Sequence, residues 1–523
     1  MAKAEIPEQN HGLKVSVIDL GFNSLKMVNY DIYRENSVRI SGEFGVKARL
    51  GDGLIRSRTF SSTAVRRTID ALEICREITR VESIRHTITI GTSPLREAED
   101  REEFLGLVLR ETGFRIRVLS SREEALYSFL GAMTSTVGKT SLFFDLGGGS
   151  LEIVYLKNFR IMHVVSLPLG SLRLTQLYAG TDGNFTKKNF GRMEKHIMEL
   201  LPEREELGLG GNTVLVGVGG TVRALARYEQ EITGYPFSKI HNFTARYSAI
   251  EKAKRKFSRM PVKELKGIQS FGNDRAETIA AGCAVVSLLM KKLGLNELVT
   301  STHGLRDGIV ASFIDGRISH GKEEDFVAYI ERSLRSAHTI SSPRKSIRVI
   351  RALEASGAID SSESLILADM MRDRIDGEPA SSPESLFYKL MGEDSTLDHR
   401  HQLVLALSAV RSRNVRASNR LILRYGELIG HQDRESIAKI AACLKFLDLL
   451  EKGTNGVSVR NGRHAVNLSI SPGARFPEKL FKRVARNVNG NLAIPVTVTV
   501  TRSAYGPDGR DSSQAGRSVT RRR

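Results

Sequence analysis

Residues 141–155 read Ser-Leu-Phe-Phe-Asp-Leu-Gly-Gly-Gly-Ser-Leu-Glu-Ile-Val-Tyr, a pattern of strand, glycine turn and strand. Leu142, Phe143 and Phe144 carry Asp145 to the end of the first strand. Gly147, Gly148 and Gly149 then let the backbone approach a ligand more closely than any side chain would allow. Turn amides bind anionic oxygens, and Ser150 adds a hydroxyl donor. Asp145 and Glu152 suit a hard cation, magnesium or manganese, that bridges to phosphate oxygens. A glycine-rich hairpin without a ligand has the same local pattern, so the rest of the chain decides between the two readings.

Working outward, residues 14–30 repeat the pattern. A strand delivers Asp19-Leu20-Gly21-Phe22-Asn23-Ser24, and a second strand follows. Asn23 and Ser24 supply donors where the other copy has Gly149 and Ser150. The copies lie about 125 residues apart, as a duplicated fold requires, and two such loops facing each other across a cleft form a phosphate site. A third turn, Gly219-Gly220-Thr221, ends a strand over 214–218 and precedes a helix, whose N-terminus attracts phosphate. It lacks the last glycine of a dinucleotide fingerprint.

Between the hairpins, the spacing predicts a helix over 63–80, a strand over 84–90, a helix from about residue 100 and a strand over 114–119. Gly91-Thr92-Ser93-Pro94-Leu95-Arg96 either sets hydroxyls and a guanidinium on a phosphate or caps a helix beside a solvated Arg96. Ser121 and Glu124 match a capping box, a purely local task. A carboxylate at the mouth of a phosphate cleft is also what orients and deprotonates water, so both readings of Glu124 stand. Gly138-Lys139-Thr140 resembles the end of a P-loop, but Met133 stands where the first glycine belongs and a strand follows, so that reading is set aside. Further on, Arg275 is placed on a helix over 274–282 facing the cleft. A strand over 297–301 leads to Thr302-His303-Gly304-Leu305-Arg306-Asp307-Gly308. No second His or Cys lies at ligand spacing from His303, so a turn or phosphate contact is expected there.

With 523 residues, the chain calls for roughly three or four domains. A net charge of +19 favours an anionic partner, while the absence of Trp and only 6% aromatic residues speak against base stacking on nucleic acid. Cys75, Cys283 and Cys443 are far apart in apolar helical contexts, which implies neither disulfides nor a metal site and points to a reducing cytoplasm. No apolar run reaches membrane-spanning length, so no membrane partner is expected.

Residues 19–24, Arg96, residues 122–125, residues 145–152, residues 219–221, Arg275 and residues 304–308 together resemble the exopolyphosphatase / guanosine pentaphosphate phosphohydrolase (Ppx/GppA) family over residues 14–312. The resemblance implies an α/β fold of two ribonuclease-H-like domains around a cleft, the actin-like ATPase architecture shared with sugar kinases. It implies Glu124 as catalytic base, Asp145 and Glu152 managing magnesium and water, and the loops with Gly21, Asn23 and Ser24, with Gly147 to Ser150, and with Gly219 to Thr221 gripping phosphates. Arg96, Arg275 and Arg306 carry over as phosphate-facing arginines, and a homodimer is suggested. Phe22 departs from the small residue usual there and is expected to narrow the cleft mouth.

The expected organisation is an arm (1–13), actin-like domains I (14–135) and II (136–318), a helical domain (322–452), a small α+β unit (453–503) and a disordered basic tail (504–523). The helical domain resembles a degenerate HD phosphohydrolase bundle, because Asp398-His399-Arg400-His401 reverses the His-Asp dyad such a site needs. Arg411, Arg413, Arg416, Arg420 and Arg424 either line a channel for a polyanion or form a solvated face. The expected activity is magnesium-assisted removal of terminal orthophosphate from inorganic polyphosphate. The alternatives are hydrolysis of guanosine pentaphosphate, a non-catalytic regulator on the same fold, and an actin-like sugar kinase.

Overall fold

Apolar runs bounded by glycine turns become the central strands of two sheets in a computed structural model. It describes residues 12–33, 38–133, 140–211, 213–271, 275–316, 323–338, 345–372, 382–392, 397–461, 465–472, 477–492 and 494–500. The chain divides into two units, Met1–Arg335 and Ser336–Arg523. In the first lobe of the first unit, β1 (Leu13–Leu20), β2 (Leu25–Ile32), β3 (Val38–Val46), β4 (His86–Gly91) and β5 (Ile116–Val118) are ordered β3-β2-β1-β4-β5. β1 runs antiparallel to β2, with Asp19 opposite Lys26, and parallel to β4.

The second lobe holds β6 (Ser141–Leu146), β7 (Leu151–Lys157), β8 (Arg160–Leu167), β9 (Val214–Val218), β10 (Thr244–Arg246) and β11 (Glu297–Thr300), ordered β10-β11-β9-β6-β7-β8. β6 runs antiparallel to β7, with Asp145 opposite Glu152, and parallel to β9. The duplicated hairpin therefore sits in a duplicated five-strand sheet, with β10 added at one edge. β1 and β6 are central and covered on both faces, which is why their sequences are near-continuously apolar rather than alternating.

Helices cover these sheets by amphipathic spacing. The helix Ser62–Val81 is capped by Ser61, whose Oγ accepts from the Ala64 amide, and buries Ile69, Leu72 and Cys75 with Ile18 and Leu20. The helix Ile279–Leu293 is buried nearly all round in the second lobe's core, which accounts for its apolar run. Two connecting helices, Ser121–Met133 and Leu305–Ile314, meet backbone to backbone. A Cβ on Gly131 would lie 2.0 Å from the Gly304 carbonyl oxygen, and one on Gly308 1.9 Å from that of Tyr127.

Several expectations need correction. The strand over 114–119 is only Ile116–Val118, and β3 and β10 have no counterpart in the sequence reading. Arg275 is itself helical, but a turn over 276–278 separates it from the helix that starts at Ile279. The helical box at residue 121 is one residue out of register. Ser120 Oγ accepts from the Glu123 amide, and Glu123 returns a carboxylate to the Ser120 amide at 2.8 Å. The Gly138-Lys139 pair, residues 1–11 of the arm and the tail 504–523 lie outside the described residues.

In the second unit, the helices Lys345–Ala355, Ser361–Arg372, Pro383–Gly392, His399–Arg413, Val415–Tyr425 and His431–Gly453 precede a three-stranded sheet. Pro383 opens its helix, where its missing N–H leaves nothing unpaired. Asp398 caps the next helix through the His401 amide and also holds His401 Nδ1 at 2.6 Å. Of the five arginines, Arg420 pairs with Glu384, Arg411 donates to Asn419 and Arg424 to the Tyr388 hydroxyl. The strands β12 (Thr454–Asn461) and β13 (Val466–Pro472) pair in an antiparallel hairpin. The helix Glu478–Asn489 then leads to β14 (Val496–Val500), in the order β12-β13-β14. Among the described residues, no helix is long and apolar enough to cross a membrane.

Candidate active site

Peptide geometry orients the turn after β6. The carbonyl of Gly147 accepts from the Ser171 amide, that of Gly148 from Leu172 and Arg173, and that of Gly149 from Gly170. In a planar trans peptide the carbonyl and the following N–H point in opposite directions. Tying three carbonyls to the helix Ser171–Tyr178 therefore turns the amides of Gly148, Gly149 and Ser150 the other way, into a cavity of about 140 Å³ lined by all four turn residues. This is an anion nest. Gly149 has to be glycine, because a Cβ would stand 2.4 Å from Ser93 Oγ and 2.6 Å from the Phe22 ring.

The first hairpin supplies the facing wall. Gly21, Asn23 and Ser24 line the same cavity, as do Asp19 and its strand partner Lys26. Phe22 lines the cavity as well, as a buried wall residue: it is 2% exposed, wedged between Gly51 and Gly149. From β9, Gly219 adopts φ 110°, a conformation reserved for glycine, with Gly220 under the Arg275 guanidinium. Arg275 and Arg306 both line the cavity, and Arg306 Nη1 stands 3.3 Å from Asp19 Oδ2.

Glu124, freed from capping by Glu123, enters this cavity together with Asp145 and Glu152. Two predicted residues are not in its lining. Arg96 instead donates to Glu124 Oε2 at 2.7 Å and to the Leu119 carbonyl. Thr221 is buried against Gly282. His303 lies 3.5 Å from Asp307 in the turn before the helix Leu305–Ile314.

Residues 32–316, more than half of the chain, match the Ppx/GppA phosphatase family. The chain belongs to that family. An exopolyphosphatase from Cytophaga hutchinsonii, 21% identical, matches over 58% of this chain and 98% of its own, with a TM-score of 0.54. An exopolyphosphatase-like protein, 24% identical, matches over 58% and 99%, with a TM-score of 0.52. The Aquifex aeolicus family member, 25% identical, covers 59% of this chain and 99% of its own, with a TM-score of 0.49. The duplicated lobes are thus the actin-like ATPase fold of the Ppx/GppA family.

The electrostatics of this Ppx/GppA cleft suit a ligand carrying charges of both signs. Burial lifts Glu124 to about 7 against the opposing pull of Arg96. Burial also raises Asp145, against the Ser128 hydroxyl bond, and raises Glu152 further with help from the charges of Glu124 and Asp145. On the cationic side, burial and then Arg306, Arg223 and Arg275 lower Lys26 to about 7, and burial with the neighbouring arginines lowers Arg223 to about 10. The carboxylates and Lys26 hold their charge poorly until a partner of opposite sign arrives, while Arg223 stays charged at neutral pH.

Among the described residues, no three His, Cys, Asp or Glu side chains converge into a metal cage. Asp145 and Glu152 face each other across the hairpin, and buried Asp19 Oδ1 has no hydrogen-bond partner. One or two carboxylates, with phosphate oxygens and water completing the shell, is the set magnesium prefers, so these residues fit such a cation. Lys26 and Arg223 were not anticipated. A lysine within a strand reads as a surface position, and its place opposite Asp19, equivalent to Glu152 opposite Asp145, becomes visible only once the hairpin register is known.

Proposed function

We propose that this Ppx/GppA phosphatase hydrolyses terminal phosphoanhydride bonds and releases orthophosphate from inorganic polyphosphate. One observation carries the reading: a buried carboxylate, Glu124, shares a cavity with three inward turn amides and with Lys26, Arg223, Arg275 and Arg306. Glu124 takes a proton from water as the water oxygen bonds to the terminal phosphorus. The anhydride P–O bond breaks, and the electron pair leaves with the shortened chain. The amides of Gly148 to Ser150 and the cations hold the charge on the transferring group. A magnesium or manganese ion held by Asp145 and Glu152 supplies further neutralisation of phosphate oxygens.

The net charge of +19 favours the polymer as substrate. A separate observation supports guanosine pentaphosphate as the second reading. A cavity of about 520 Å³ mixes polar Asp52, Gln176 and Glu277 with apolar Ile55, Leu172 and Val262, which suits a nucleoside. It lies behind the first phosphate loop, since Arg49 on its wall donates a backbone bond to Asn23.

The test is phosphate release with magnesium from long-chain polyphosphate and, separately, from guanosine pentaphosphate, comparing wild type with Glu124→Gln. A positioned base contributes about 10² to 10⁴-fold, and the variant is expected to lose that much. If neither substrate is cleaved while polyphosphate still binds, the regulator reading replaces the hydrolase.

A further inference from the structure

The mechanism leaves unused a buried arginine that touches the phosphate loop of one lobe and an acid of the other. Arg173, 9% exposed, lies on the helix Ser171–Tyr178. Its Nε donates to the Gly149 carbonyl at 2.6 Å, and its backbone amide donates to the Gly148 carbonyl. Both oxygens of Glu97 accept from its Nη2, one at 2.6 Å, and its guanidinium lies 5.2 Å from the centre of the Phe22 ring. Glu97 ends the short helix Ser93–Glu97 of the first lobe. That helix also carries Ser93 on the cavity wall and Arg96, which holds Glu124 at 2.7 Å.

We infer that the Arg173–Glu97 pair is a clasp between the lobes, linking the shape of the Gly147–Ser150 loop to the placement of Glu124. One guanidinium fixes the Gly149 peptide, and through it the Ser150 amide direction. The same guanidinium anchors the five-residue helix whose next-to-last side chain grips Glu124. If the lobes separate, the Arg173 guanidinium keeps the Gly149 carbonyl but loses Glu97, which frees its orientation at the loop, while Arg96 loses the fixed base beneath it. Glu97, Arg96 and Arg173 are positioning residues, and Glu124 remains the catalytic one. A planar fork is required, because a lysine ammonium cannot hold the Gly149 carbonyl and Glu97 in two fixed directions. The inference rests on the hydrolase reading of the cleft for its kinetic consequence, though not for the clasp itself.

The experiment combines kinetics with a distance between lobes. Arg173→Met, Arg173→Lys, Glu97→Gln and the Arg173→Met/Glu97→Gln double variant are assayed for phosphate release from polyphosphate. Each single variant is expected to lower kcat by about 10- to 100-fold with KM changed by no more than about threefold. The double variant should be no slower than the worse single one, since both remove the same link. Glu97 is half-exposed, so Glu97→Gln keeps the test open if the Arg173 variants do not fold.

Spin labels are then placed by Val81→Cys and Ile232→Cys, exposed positions on the two lobes, since the native Cys75, Cys283 and Cys443 are buried. In a Glu124→Gln background, with and without long-chain polyphosphate, the intact clasp should give a narrow distance distribution and Arg173→Met a broader or longer one. Single variants within twofold of wild-type kcat, losses that multiply in the double variant, or an unchanged label distance would each overturn the clasp. If wild type releases no phosphate from either proposed substrate, the hydrolase reading fails alone, and the label distance still decides the clasp.

Discussion

Glu124 sets the pH behaviour of the cleft through two opposing influences, burial that lifts it to about 7 and Arg96 that pulls it down. Phosphate release should rise with pH along a limb near 7, as the ionised form appears. Arg96→Met removes the downward pull, so the limb should move to higher pH in a kcat/KM profile. A limb that stays in place would detach Glu124 from it. The same shift has a sign for stability. The folded value lies above the ordinary 4.5, so this group's contribution is fully present below about 4.5 and is lost as pH rises through 7. Glu124→Gln should therefore melt above wild type at pH 8 and level with it near pH 4.5. With about 1.4 kcal/mol per pKa unit, the gap is on the order of a few kcal/mol. Lys26 mirrors this behaviour. Lowered to about 7, it is largely neutral at pH 8, and a bound phosphate pushes it back up. Calorimetry in buffers of different ionisation enthalpy should show up to about one proton taken up per phosphate, and less in Lys26→Met.

At the scale of elements, the two hairpins were legible because strand, Asp, small turn and strand is a local pattern written twice. Register was not legible, and register is what set Lys26 opposite Asp19 and moved the capping box from Ser121 and Glu124 to Ser120 and Glu123. A shift of one residue decides whether a carboxylate is tied up by its helix or enters the cleft. The short helix Ser93–Glu97 shows the same limit. Its Thr-Ser-Pro start could be read, whereas the partners of Arg96 and Glu97 come from residues far along the chain. Glycines that serve a turn could be inferred, while those serving a helix crossing could not. Gly308 meets the Tyr127 carbonyl across the two connecting helices. Gly308→Ala should force these helices apart and lower stability by roughly 1–3 kcal/mol, read as a fall of several degrees in Tm. A Tm within a degree of wild type would mean that this crossing yields easily. Gly149→Ala should lose phosphate release and lower Tm as well, because its Cβ meets buried Ser93 and Phe22 at the phosphate loop.

For the whole molecule, every residue placed in the cleft lies between Asp19 and Arg306, inside the unit Met1–Arg335 with its own buried cores. The Cytophaga structure matches over 98% of its length on only 58% of this chain, so a fold of about this extent stands without a counterpart to the remainder. A protein ending at Arg335 should therefore fold and release phosphate from tripolyphosphate with kcat within about twofold of the full chain, since uniform binding elsewhere affects KM rather than the chemical step. Long-chain polyphosphate separates the roles of the units. In the second unit, Arg411, Arg420 and Arg424 are engaged by Asn419, Glu384 and Tyr388, as expected of a solvated face. If that face nevertheless grips polymer, the full chain should show a lower KM for long polyphosphate and a steeper loss with salt than the protein ending at Arg335, because each phosphate contact releases counterions. Equal KM values and equal salt slopes would assign all substrate recognition to the first unit. The basic charge would then act only by raising the rate of encounter, a long-range effect that weakens beyond the Debye length of about 10 Å at 0.1 M salt.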